Sequence, residues 1–133
     1  MKIKLVLGMS FLFSMSYSMQ DSKEIARAYY QAMADKDLQG VATFLDRDVV
    51  FSAPLATVIG KKNFLARVEE FFAYCSTLTI RSVFSQDDQA VVVFDLEYPA
   101  PIGLVQAVAL LQITDGLIYN IQLFYDERLF IAE

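Results

Sequence analysis

The chain has no histidine and no tryptophan, and only one cysteine, in 133 residues. Without histidine there is no imidazole to ligate zinc, to complete a serine or cysteine triad, or to carry protons near neutrality. The lone Cys75 excludes an intramolecular disulfide. It ends an apolar helical stripe and reads as a buried, inert thiol. Basic runs are missing too, since 11 Lys and Arg stand against 16 Asp and Glu for a net charge of −5. Such a chain cannot neutralise a phosphate backbone, which excludes a nucleic-acid partner. It is equally unsuited to an anionic membrane surface. No apolar run is long enough for a permanent membrane span, and no cofactor is implied.

What is present begins with a leader-like stretch. Lys2 and Lys4 precede the apolar run from Leu5 to Phe13, and Ser16 and Ser18 supply small residues. That order predicts a secretory signal peptide over residues 1–18, and with it an exported, periplasmic protein. An uncleaved leader, or a first helix of the fold, is the alternative. Removing Lys2 and Lys4 would leave 9 basic against 16 acidic residues, net −7. One domain, 19–133, then remains, long enough to bury its own core.

The most telling stretch runs from Leu104 to Asp126. Two apolar runs, Leu104–Thr114 and Leu117–Tyr125, flank Asp115-Gly116, a pair that tolerates the positive φ of a tight hairpin turn. A hairpin so long and apolar needs cover on a face. Upstream, Asp21 and Glu24 have capping-box spacing, and Ile25, Tyr29 and Met33 form a helical stripe. Asp37 caps a second, short helix with Leu38, Val41, Phe44 and Leu45 on its buried side, weakened by Gly40. A short strand, 49–53, ends at Pro54, and 56–59 pairs briefly. The clearest helix spans 61–75, with Phe64, Leu65, Val68, Phe71, Phe72 and Cys75 on one face. From Thr77 the period becomes two. Val92, Phe94, Leu96 and Tyr98 share one side of a strand, with Asp95 and Glu97 on the other. Pro99 to Gly103 forms a stiff loop.

Three helices followed by long antiparallel strands predict an α+β domain. Its twisted antiparallel sheet curls into a cone, a cystatin-like α+β barrel, with the helices over the concave side.

Two segments, Tyr29-Tyr-Gln-Ala-Met-Ala-Asp-Lys-Asp-Leu38 and Phe44-Leu-Asp-Arg-Asp-Val-Val-Phe-Ser-Ala-Pro54, carry a resemblance to a known family. With this element order, the chain resembles the SnoaL-like branch of the nuclear transport factor 2-like superfamily over about residues 22–128. That superfamily includes polyketide cyclases, ketosteroid isomerases, scytalone dehydratase, limonene epoxide hydrolase and domains with no activity, so the resemblance implies fold more than chemistry. A ketosteroid isomerase uses a carboxylate base with a tyrosine and a protonated aspartic acid as oxyanion donors. On that pattern Tyr29 matches the tyrosine, Gln106 falls where the aspartic acid stands, and Ala53, before Pro54, occupies the place of the base. A phenol and an amide remain, without the carboxylate that proton transfer requires.

The resemblance further implies that Gln106, Val108, Leu110 and Gln112 face into the cone, with Ala107 and Ala109 on the convex side. It places Tyr119, Ile121, Leu123 and Tyr125 inward, and Asn120, Gln122 and Phe124 outward. An interior of Tyr29, Phe51, Phe72, Phe94, Tyr98, Gln106 and Tyr125 would suit a small hydrophobic molecule. The same rings could instead pack it solid. The outer sheet face suits a homodimer. The expectation is thus an exported domain that binds a small hydrophobic molecule, with any isomerase-, cyclase- or hydrolase-type activity weak or unrecognised. The alternatives are a non-catalytic interaction domain using the outer sheet face, and an enzyme whose carboxylate (Asp48, Asp95 or Glu97) lies inside.

Overall fold

The computed structural model describes residues 21–131, so the leader expected over 1–18 lies outside the described residues. Helix α1, Ser22–Ala34, buries Ala26, Tyr29, Tyr30 and Ala32. These lie on one face, as its apolar spacing predicts. The capping box does not form. Asp21 makes no side-chain bond to the helix, and Ser22 Oγ instead donates to the Asp87 carbonyl at 2.8 Å. This ties the start of α1 to a turn 65 residues away. Asp37 does cap α2, Leu38–Thr43, accepting from the Gly40 N–H at 3.0 Å. A Cβ at Gly40 would stand 2.5 Å from Asp37 Oδ2, so a larger residue there would push the capping carboxylate aside.

Strand β1, Leu45–Ala53, starts four residues before the predicted strand. Leu45 leaves the short helix because it pairs with Ile118 across the sheet. β2, Ala56–Ile59, folds back on β1. Helix α3, Lys61–Tyr74, follows Gly60 and buries Phe64 and Val68. Four antiparallel strands complete the chain: β3 Thr77–Gln86, β4 Gln89–Glu97, β5 Leu104–Thr114 and β6 Leu117–Phe124. A 3₁₀ turn, Glu127–Phe130, closes it. Asp115 (φ 53°) and Gly116 (φ 80°) make the β5–β6 turn. Both have positive φ, as a tight hairpin of this hand requires.

The sheet runs β2-β1-β6-β5-β4-β3. It is mixed, because β1 joins β6 in parallel while every other pair is antiparallel. Register shifts occur in β3 near Arg81 and in β6 at Tyr119. Such bulges sharpen the twist. The sheet curls around the helices without closing, leaving β2 and β3 as its edges. One core fills the space between the layers, with Val41, Val49, Leu111, Ile118 and Ile121 at its centre. Each such side chain contributes about 1.5–3 kcal/mol by leaving water. No helix among the described residues is long and apolar enough to cross a membrane.

Register decides which face of β5 looks inward. Phe94 pairs with Ala107 and Val92 with Ala109, so Val105, Ala107, Ala109 and Leu111 are the buried side. Gln106, Val108, Leu110 and Gln112 lie on the other, which corrects the orientation the resemblance implied. Side chains on a concave face converge, and the small alanines leave room for the neighbouring Phe94 and for Tyr30, whose ring centroid is 4.6 Å from that of Phe94. Tyr119 is also corrected. It is the extra residue of the β6 bulge, between Ile118 paired to Ile113 and Asn120 paired to Gln112. It is exposed, and Ile118 takes the inward place.

A candidate binding cavity

The core does not fill the wide end of the curled sheet. A cavity of about 580 Å³ lies between α1, α3, β1 and the inner faces of β4–β6. This is within the size range of small-molecule sites, about 300–1,000 Å³. Its floor is aromatic. The Tyr29 and Tyr30 rings meet edge to face at 4.8 Å, and Phe51 lies 4.9 Å from Phe64. Its exposed lining residues, Arg67, Glu70 and Tyr74 of α3 and Pro99 to Pro101 of the β4–β5 loop, mark the mouth. Phe130 packs edge-on against Tyr98 at 5.3 Å and Tyr125 at 5.2 Å, so the C-terminal turn forms part of the rim.

Five of the seven residues expected in the interior contribute to this lining: Tyr29, Phe51, Phe94, Tyr98 and Tyr125. Gln106 does not. It is exposed on the outer face opposite Asp95, which Arg81 binds. The amide placed there by resemblance therefore faces water, where it needs no buried partner. Phe72 is corrected as well. It packs partly buried against the core while Phe71, one residue earlier, turns to the cavity, its ring 6.4 Å from Tyr98. A stripe as broad as that of α3 spans more than one surface, and only the sheet beneath it decides which ring meets the void. Tyr30, Phe64, Arg67 and Phe130 line the cavity without having been expected there. Tyr30 adjoins Tyr29 in an apolar stripe, which was a usable signal. For Phe130 the sequence offers a tail, 128–133, with three apolar residues, either frayed or packed over an opening, and the ring takes the second course.

The polar chemistry of the wall is phenolic. Burial raises the pKa of Tyr29 well above its usual value, and the adjoining Tyr30 adds to the effect. Burial alone raises that of Tyr30. Tyr98 is raised by burial first and then by Cys75 and Tyr125. Tyr125 is raised by burial and by Glu127. All four therefore stay neutral near pH 7, each offering one O–H donor. No buried side-chain oxygen or nitrogen among the described residues lacks a partner.

Ala53 lines the cavity at the place where an isomerase base would stand. The three carboxylates considered as alternatives lie elsewhere. Asp95 is held by Arg81 on the outer face, Asp48 pairs with Arg47 at the exposed start of β1, and Glu97 is exposed at the end of β4. Glu70, exposed at the mouth, is the carboxylate that touches the lining. Cys75 donates its thiol to the Thr77 carbonyl at 3.3 Å, and burial pushes its pKa up. An apolar hollow with phenol donors can hold and orient a molecule, but these side chains provide no strong base within it.

Comparison with known proteins agrees with this architecture. The SnoaL-like domain profile matches residues 26–121. No curated protein sequence matches the chain significantly. Among solved structures, a protein from Kribbella flavida is similar at 24% identity and a TM-score of 0.76, over 81% of this chain and 88% of that one. An NTF2-like protein of unknown function from Cytophaga hutchinsonii is similar at 14% identity and a TM-score of 0.73, over 84% and 96%. An LEH-like epoxide hydrolase from M. tuberculosis is similar at 14% identity and a TM-score of 0.69, over 80% and 84%. At these identities the likeness carries the fold alone.

Proposed function

The chain belongs to the SnoaL-like domain family, and on that premise we propose that it takes up one small hydrophobic molecule in the cavity between its helices and its curled sheet. One observation carries this reading: a ring-lined hollow of about 580 Å³, open to solvent at one end. A void of that size beneath a well-packed core sacrifices dispersion contacts that a filled interior would have. An apolar guest restores them. The phenols of Tyr29, Tyr30, Tyr98 and Tyr125 then orient any oxygen the guest carries. In this reading the protein is an exported binder. Any turnover rests on hydrogen bonding from the phenols, because Ala53 provides no base.

Titration with the neutral dye N-phenylnaphthylamine tests this. Its emission is expected to rise saturably, with one dye per chain. A protein that leaves the dye's emission unchanged, or takes it up without saturation, would refute the proposal.

The outer face of the sheet favours a second reading, association with another copy. Phe84 and Phe124 are more than half exposed. Register sets Phe84 in line with outward-facing Val91 and Leu110, and Phe124 beside Val108 in a second row. Apolar residues mixed with Asn120, Gln122 and Gln106 resemble the composition of a moderately polar interface. Native mass spectrometry is expected to give twice the chain mass, and Phe124→Glu to return it to one. A monomer before substitution would remove this reading.

A further inference from the structure

Arg67 is out of character with the rest of the lining. It lies three residues after Phe64 and four before Phe71, and all three contribute to the cavity wall. Spacing of that kind puts them on one helix face. Its ion-pair partner is Glu70, with Nη1 3.7 Å from Oε1 and side chains 62% and 66% exposed. That separation is beyond hydrogen-bonding distance, and an exposed pair of this kind parts at little cost. Arg81 and Arg128, by contrast, hold Asp95 and Asp126 in hydrogen bonds. The cavity therefore has a planar cationic fork at its mouth that is not committed to a close partner. Behind it the wall is apolar and phenolic, with nothing to match an ionised group.

We propose that the preferred guest is an apolar molecule ending in one carboxylate, its body among the rings and its acid on the Arg67 guanidinium at the mouth. This rests on the uptake reading above and adds the chemical class of the guest. The orientation follows from solvation. A carboxylate pushed to the floor would lose water without gaining a charged partner. At the mouth it keeps water on one side and accepts two parallel N–H bonds from the arginine. Glu70 then turns to solvent, away from a like charge. The chain's net charge of −5 opposes an incoming anion. Salt screens charges beyond about 8 Å at physiological ionic strength, leaving the direct contact dominant.

Displacement of bound N-phenylnaphthylamine by naphthylacetate and by uncharged naphthylethanol tests the inference. The acid is expected to bind about tenfold more tightly than the alcohol. Arg67→Gln is expected to bring the two affinities together, and Glu70→Gln to widen the gap. Equal affinities in the unsubstituted protein, or a preference that survives Arg67→Gln, would overturn the inference and leave uptake standing. If neither compound displaces the dye, the inference also falls, while uptake is judged by the dye's own saturable titration.

Discussion

Ala53→Trp is expected to abolish uptake of N-phenylnaphthylamine while leaving the fold in place. Ala53 stands on the cavity wall at the end of β1, opposite Ala56 of β2. A larger ring there extends into existing space and displaces no packed neighbour. Inserting bulk into a filled core costs about 1–3 kcal/mol. In a void that penalty is absent, and the new contacts offset the strain. Stability should therefore change by less than about 1 kcal/mol, whereas dye affinity falls by at least about tenfold. The chain has no tryptophan of its own, so the indole also reports its surroundings. Its emission should be blue-shifted, and it should move no further when dye is added. A blue-shifted indole together with undiminished dye binding would place the dye elsewhere and sink the assignment of the cavity.

Alkaline solution is expected to unfold the protein well before the peptide chemistry fails. Tyr29 and Tyr30 are 1% and 3% exposed, and burial raises the pKa of both in the folded state. Unfolded, they titrate near pH 10. A folded pKa above the unfolded one stabilises the native state fully below about pH 10. That contribution is withdrawn as pH climbs from there through the folded values, because the unfolded chain releases protons that the native chain retains. Each unit of difference corresponds to about 1.4 kcal/mol. Two such phenols can remove a large share of a total that runs to about 5–15 kcal/mol. Urea midpoints should be flat, as far as these groups are concerned, up to about pH 9 and fall steeply above about pH 10. Tyr30→Phe should shallow the fall. A midpoint that holds to about pH 12, or a fall identical in Tyr30→Phe, would show that the floor of the cavity is wet.

Both experiments probe the same property, an apolar hollow that rings surround. Its parts were unequally legible. The stripe of α1 put Tyr29 inside, and alternation in β4 put Phe94 and Leu96 on one face, because side-chain direction within one element follows from its own period. Gln106 and Tyr119 went the other way for reasons outside their own strands. The inward side of β5 depends on the register that pairs Phe94 with Ala107, and the inward side of β6 on one bulged residue. A shift of one residue reverses every side chain beyond it. Resemblance to an isomerase placed an amide where the register sets an exposed polar row beside Asp95 and Arg81.

From its sequence alone this protein was bound to be α+β. The Asp115-Gly116 turn, the apolar face of α3 and the change of period at Thr77 are local, and local backbone and packing preferences decide them. The absence of histidine likewise removed imidazole-based metal sites and triads without coordinates. Only the tertiary structure decided that the rings surround a void, that Phe71 and not Phe72 meets it, and that Arg67 stands at its mouth. Whether a space is left over depends on how far a twisted sheet curls beneath three helices, a sum over many contacts that no single segment encodes.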